Sequence, residues 1–227
     1  MALQRYVAHY ERLSPDLLTE WGEIPSSVIS DALNRCQCMH ARIKPVVPGR
    51  RVCGQAFTVD PITADNSMVH HACSVAEEGS VIVVAGRGVE DTAYAGSWVV
   101  RGCIQRRLGG LVIDGSVRDI EEIRALSLPV FCSGAVPRGP HKNFGGRISV
   151  PVAVGGVSVS PGDLVVGDDD GVVIVPLTLA RQALPHCKHV LEKELEWARR
   201  IEDGETLVEV LGVAPLEVVE MDTGIDV

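Results

Sequence analysis

The sequence predicts an α/β domain that opens as parallel βαβ units and closes in short hairpins and a helical arm. Between residues 68 and 136, strand-length apolar runs alternate with stretches of helical spacing, the pattern of parallel strands joined by crossover helices. From about residue 147, short β-like runs are broken by GG, PGD and DDDG, which are hairpin signals. Aromatic residues make up only 4% of a chain that is 46% hydrophobic. The core must therefore be built from Val, Ile, Leu and Ala, side chains that suit packed strands. A length of 227 residues supports one substantial core. We expect a single domain over 1–227, with its core at about 24–180 and a C-terminal helix and tail at about 181–227.

Taken in order, "SPDLLTEWGEI" reads as a helix with Ser14 as N-cap and Pro15 at its first position. "PSSVISDALNR" follows as a second helix, with Val28, Ile29, Ala32 and Leu33 on one face. "RVCGQAFTVD" alternates as a strand and stops at Pro61. "DNSMVHHACSVAEEG" is a helix ending at Gly79. "SVIVVAG" (80–86) is a continuous apolar run, as in a strand buried on both faces. A glycine-containing loop is expected after it, then a helix over "AYAGSWVVRGCIQRRLG", a strand at "GLVID", a short helix at "DIEEIRALS" and a strand at "PVFCSGAVP". After the hairpins comes a long helix, "LARQALPHCKHVLEKELEWARRIEDG", which Pro185 should kink or restart. The tail "ETLVEVLGVAPLEVVEMDTGIDV" is weakly patterned.

The net charge of −9 comes without a Lys/Arg cluster or a basic stripe interleaved with aromatics, so nucleic acid is not expected as a direct partner. The seven cysteines are odd in number and follow no disulfide spacing. Reduced thiols serving as small apolar groups fit best and imply the cytoplasm. The opening "MALQRYVAHYERL" carries charges where a signal peptide would be apolar, and no apolar run reaches the roughly 18 residues of a membrane span.

Several stretches are candidates for chemistry. In "GGLVIDGSVRD" (109–119) a core strand hands over to a helix at Arg118 and Asp119, where ligand sites of open α/β sheets lie. The plain alternative is that Asp119 caps the helix and Arg118 pairs with a surface acid. Asp114, where the strand was expected to end, fits an Asx-turn before Gly115 or a supporting role in the site. The loop of "VVAGRGVEDTAYAG" (83–96), with Gly86, Gly88 and Gly96, offers backbone N–H groups to an anion but lacks the G-K-[ST] of a P-loop. Cys36, Cys38 and His40 form a C-x-C-x-H cluster better read as a turn, since no second ligand pair follows at zinc spacing. His70 and His71 read as structural, and "GDDDG" (167–171) as a tight hairpin turn. "PRGPHKNFGG" (137–146) is a loop that suits covering a site. None of Lys44, Lys142, Lys188 and Lys193 lies in an apolar strand, where a Schiff-base lysine would be expected. Carbonyl chemistry would therefore rest on a metal.

"DGSVRDIEEIRALSLPVF" and "SVPVAVGGVSVSPGDLVVGDDDGVVIVP", with "IPSSVISDAL", "DNSMVHHA" and "GSVIVVAGRG" upstream, resemble the family of the ribonuclease-activity regulator A and 4-hydroxy-4-methyl-2-oxoglutarate aldolase. The resemblance covers most of residues 24–205. It implies an α-β-β-α sandwich similar to the swivelling phosphohistidine domain, here with a C-terminal helical arm. It also implies a homotrimer or homohexamer with sites between subunits. One branch of the family is a metal-dependent pyruvate aldolase that decarboxylates oxaloacetate; another reading is a non-catalytic trimeric regulator of a ribonuclease. Carried over by motif, Asp119 would hold Mg2+ or Mn2+, Arg118 would face the substrate's C2 oxygen, and the backbone of Gly96, Ser97, Trp98 and Val99 would bind the pyruvyl carboxylate. Glu194 of a neighbouring subunit, with Glu192 and Glu196 as alternatives, would contact a water on the metal. The aldolase branch carries an acid where this chain has Ser97; Asp91 or Glu90 is then the nearest substitute in sequence.

Overall fold

The computed structural model describes residues 2–219. In chain order the elements are β1 (Leu3–Arg5), α1 (Pro15–Glu23), α2 (Ser26–Ala32), β2 (Lys44–Pro45), β3 (Val52–Pro61), α3 (Ser67–Val75), β4 (Val81–Ala95), α4 (Ser97–Gln105), β5 (Gly110–Val117), α5 (Ile120–Arg124) and β6 (Val130–Ala135). They continue with β7 (Gly146–Ile148), β8 (Val152–Val154), β9 (Val157–Val159), β10 (Leu164–Asp168), β11 (Gly171–Val175), a 3₁₀ turn at Leu177–Leu179, α6 (Ala180–Glu202) and α7 (Leu207–Leu211). The chain divides into two compact units, Met1–Lys188 and His189–Val227.

The first unit is a mixed α/β fold around one large sheet. Its strand order is β1-β7-β3-β4-β5-β6-β2, and β3, β4, β5 and β6 run parallel. The apolar runs make this possible because alternate residues serve opposite faces. Ile82 and Val84 join Leu111, Ile113 and residues of α3, α4 and α5 in one core; Val81 and Val83 join Val112, Phe131 and residues of β8 to β11 in another. Each fully buried Val or Ile contributes about 1.5–3 kcal/mol. The GG and DDDG signals turn the hairpins β8–β9 and β10–β11, and β10 continues onto β3. Ser14 caps α1 through its side chain, accepting from the Leu17 N–H at 3.3 Å. Trp21 of α1 is fully buried and donates its indole N–H to the Ala180 carbonyl at 3.0 Å.

Four expectations need correction. The strand expected to end at Asp114 runs on to Val117. The segment expected as a loop after Gly86 is strand: β4 continues to Ala95 in shifted register with β5. Arg87 and Gly88 take positive φ (56° and 69°) and form the first of three register shifts, after which pairing resumes at Val89, Ala93 and Ala95. The helix expected over 93–109 consequently starts only at Ser97. α6 runs unbroken through Pro185, which lies in its second turn. All seven cysteines are free. No helix among the described residues is long and apolar enough to cross a membrane.

The second unit holds the remainder of α6 and α7. Thr206 and Glu209 form a reciprocal capping box at the start of α7, and Arg200 donates to both carboxylate oxygens of Glu205 through Nε and Nη2. Residues 220–227, the end of the weakly patterned tail, lie outside the described residues.

Candidate active site

β5 delivers Arg118 and Asp119 to the carboxyl end of the parallel sheet. The Arg118 N–H still donates to the Ala95 carbonyl at 3.0 Å, which holds the corner against the end of β4. Asp119 then takes a left-handed conformation, φ 60° and ψ 42°, and its carbonyl accepts the first bond of α5 from Ile123. A left-handed non-glycine residue costs about 1–2 kcal/mol, least for Asp and Asn. The Asp119 side chain makes no capping bond to its own helix, which removes the plain reading of this residue. It turns instead to the start of α4, where Oδ2 accepts the Ser97 N–H at 3.1 Å and lies 3.5 Å from Ser97 Oγ. Arg118 Nε is 3.7 Å from the same oxygen. A Cβ on Gly96 would collide with Asp119 Oδ2 and lie 3.1 Å from Arg118 Cγ, so a side chain here would push the Asp119 carboxylate out of its place.

The two residues face a cleft of about 190 Å³ whose other walls include Asn66, His70, Trp98 and Lys142. The loop that carries Lys142 is tied to the start of α3: the His141 N–H donates to the Ala64 carbonyl, Asn143 to Ser67 Oγ and Phe144 to Asp65 Oδ2, at 2.7, 2.6 and 2.9 Å. Lys142 Nζ donates to Asn66 Oδ1 at 3.1 Å and lies 3.4 Å from His70 Nε2. Asn66 is itself oriented by donating Nδ2 to the Tyr94 carbonyl at 3.1 Å. Partial withdrawal of the His70 ring from water, then the charge of Lys142, pull its pKa below the usual histidine value against a weaker opposing pull from Asp65. His70 is therefore a neutral imidazole near pH 7, able to accept from the Lys142 ammonium. The cleft thus sets one aspartate beside an arginine and a lysine, in a chain of net charge −9.

Residues 26–174 match the sequence profile of the family described as RraA-like: Aldolase/RraA. The chain belongs to the RraA-like family. It is 39% identical to a protein of Halalkalibacterium halodurans provisionally named 4-hydroxy-4-methyl-2-oxoglutarate aldolase, over 71% of this chain and 77% of that one. It is 33% identical to the 4-hydroxy-4-methyl-2-oxoglutarate aldolase of Thermus thermophilus, over 49% of this chain and 68% of the relative. Among solved structures it is similar to Streptomyces coelicolor RraAS2, described as an unusual member of the RNase ES inhibitor RraA protein family. The TM-score is 0.74 at 27% identity, over 83% of this chain and all of that one.

The other candidates of this RraA-like chain separate clearly. Of the amides expected to hold a carboxylate, that of Ser97 is used by Asp119, and that of Val99 by the Gly96 carbonyl at 3.1 Å. The Gly96 and Trp98 amides lack partners among the described residues, and Trp98 is 77% exposed at the rim. Asp114 is not in an Asx-turn. It is buried and paired with Arg42 at 2.6 Å and the Gly155 N–H at 3.0 Å. Asp91 and Glu90 are exposed on the bulged part of β4 and do not line the cleft. Glu194, like Glu192 and Glu196, is exposed on the part of α6 that belongs to the second unit. Cys36 and Cys38 are exposed on a turn that docks through Met39 onto β11, and Asp168 and Asp169 of the GDDDG turn accept from Ser26 and Gly49. Asn66, His70 and Lys142 line the cleft without having been singled out for it in the sequence. The G-P-H-K-N-F loop was the available signal, but no spacing rule points it at α3.

Among the described residues no three His, Cys, Asp or Glu side chains gather as a ready metal cage. A hard divalent ion that keeps most of its water needs only one or two carboxylates, with substrate oxygens completing the shell. Asp119 fits that demand. Its side chain is 32% exposed and Oδ1 accepts no bond among the described residues.

Proposed function

We propose that this RraA-like chain is a carbon–carbon lyase acting on 2-oxo acids. It would cleave 4-hydroxy-4-methyl-2-oxoglutarate or a related acid by retro-aldol reaction and decarboxylate oxaloacetate, both through a pyruvate enolate. The observation that carries this reading is the Arg118–Asp119 corner, which turns a part-open carboxylate and a guanidinium to one cleft. The aldolase names of the two relatives support it.

Asp119 would hold Mg2+ or Mn2+, which supplies Lewis-acid polarisation of the C2 carbonyl. The unpaired Trp98 amide, at the positive end of α4, receives the carboxylate next to that carbonyl. Arg118 faces the oxygen on which charge grows as the C3–C4 bond breaks; a donor so placed is typically worth about 3–4 kcal/mol. Lys142, aimed by Asn66, binds the second carboxylate of the substrate. Retro-aldol cleavage also requires loss of the C4 hydroxyl proton, whereas decarboxylation needs only the enolate. In this reading Glu194 of a neighbouring copy, in a trimer or hexamer, completes the site; that assignment draws on the family resemblance.

A second reading is a non-catalytic regulator that docks on an RNA-processing enzyme, favoured by the similarity to RraAS2. Pyruvate release from oxaloacetate and from 4-hydroxy-4-methyl-2-oxoglutarate, coupled to lactate dehydrogenase, separates the two. Release that depends on Mg2+ or Mn2+ and disappears with EDTA supports the lyase. No release above the uncatalysed rate with either metal overturns it in favour of the regulator.

A further inference from the structure

A second charged cleft, of about 460 Å³, lies between the carboxyl end of β3 and the mid-strand bulge of β4, bounded by Gln4, Asp60, Arg87 and Arg147. Asp60 and Arg147 are directly opposed across the β3–β7 ladder, and Arg147 grips Asp60 Oδ2 through Nε at 3.1 Å and Nη2 at 2.5 Å. Arg87 takes the other carboxylate oxygen through Nη2 and the Pro61 carbonyl through Nη1 at 2.8 Å. The carboxylate side chain is only 12% exposed, while both arginine side chains are 51% exposed. One arginine would satisfy Asp60. Two converge here, which leaves one positive charge in surplus on an otherwise acidic chain.

The backbone is shaped to bring them together. Arg87 sits at φ 56° in the β4 bulge, flanked by Gly86 and by Gly88 at φ 69°. Gly146, at φ 128°, lets β7 approach: a Cβ there would stand 2.7 Å from both the Asp60 carbonyl and Met68 Cγ. Strained positions over-determined by their surroundings gather at ligand sites. Arg147 Nη1 and Arg87 Nε have no partner among the described residues, so donors remain on both guanidinium groups. Two planar forks held by a common carboxylate match a compact oxyanion better than a point cation would.

We infer that Arg87 and Arg147, held by Asp60, form a binding site for a phosphate group, either the free ion or a small monoester. The cleft is far larger than a bare phosphate, so it has room for an organic group. This inference is independent of the proposed lyase activity.

The test is calorimetric titration of the full chain with inorganic phosphate and with glycerol phosphate, at ionic strength held constant with chloride. Saturable binding is expected, and the tighter of the two probes identifies the source. Arg147→Met should weaken binding roughly tenfold or more. Arg147→Lys should weaken it less, and Arg118→Met should leave it unchanged. Arg147 is half-exposed and Arg87 remains on Asp60, so the fold should survive, as thermal unfolding will check. Absence of saturable heat with both probes overturns the inference. So does binding that survives Arg147→Met but is lost in Arg118→Met, because the anion would then occupy the other cleft.

Discussion

Two aspartates, one inside a strand and one just beyond it, have opposite fates. Asp114, inside β5, is buried with both oxygens occupied, one by Arg42 and the other by the Gly155 N–H. Asp119, two residues past the strand, holds one backbone amide and keeps Oδ1 open to the cleft. Asp114 fastens the β8–β9 hairpin to the sheet in an unstrained strand conformation. Asp119 is held in a left-handed conformation, and its side chain makes no bond to its own helix. An aspartate carried by a parallel strand is therefore not by that alone a functional acid. Unsatisfied valence combined with backbone strain distinguishes the two.

The sharpest way to break this contrast is to remove each carboxylate. Asp119→Asn keeps an oxygen for the Ser97 N–H and suits the left-handed backbone, so the fold should be unaffected. Metal-dependent pyruvate release should fall by more than about 100-fold. Turnover near wild type in this variant would mean that the cation is held elsewhere. Arg118→Met should follow closely, with kcat reduced about 100-fold, the usual cost of losing a donor to a developing oxyanion. A rise in KM with kcat intact would show instead that Arg118 binds substrate without favouring the transition state.

Asp114→Ala should show the reverse signature. The Gly155 N–H is left buried and unpaired, while Arg42, 42% exposed, can turn to water. The expected cost is about 2 kcal/mol, or roughly 4–8 °C in Tm for a chain of this size. Thermal unfolding by circular dichroism measures it. An unchanged Tm with lost activity would place Asp114 in the chemistry and dissolve the comparison.

Much of this was legible in the sequence, for definite reasons. The parallel strands are continuous apolar runs because both faces of the sheet are covered, and GG and DDDG mark real hairpins. Arg118 and Asp119 could be found because strand-to-helix handover is a local property. β1 and β2 could not, being two- or three-residue edge strands held by pairing rather than by an apolar pattern. The length of β4 was hidden by Arg87 and Gly88, whose positive φ makes a bulge where glycines suggest a loop. Asp114 was misread because its partner Arg42 is 72 positions away. Lys142 and His70 meet only after the 138–145 loop docks on α3. The α7 capping box, Thr206 with Glu209, was present in the sequence and passed unread.

A smaller effect concerns Ser97, which faces Asp119 where the family resemblance implies an acid. Ser97→Asp sets a second carboxylate beside the first. Without metal the like charges repel and Tm should fall slightly; with Mg2+ the pair should bind the ion roughly tenfold tighter than wild type. Calorimetric titration with Mg2+ reads the change, and unaltered affinity would show that residue 97 is out of reach of the cation.

The smallest effect should come from His70. Its pKa in the folded chain lies below the unfolded value of about 6.5, so the unfolded chain takes up this proton first as pH falls. Above about pH 6.5 the residue contributes nothing to the pH dependence of stability. Below it, the unfolded state binds more protons, and stability is lost until the pH has passed the folded pKa. His70→Gln removes one titration among the seven histidines of the chain. The decline of Tm from pH 7 to pH 5.5 should therefore be shallower in the variant. Lys142→Met should have the same sign but act more weakly, since partial withdrawal from water contributes more to the shift than the lysine does. Identical slopes in wild type and His70→Gln would mean that the imidazole titrates freely. The cleft would then be as open to water at His70 as it is at the free oxygen of Asp119.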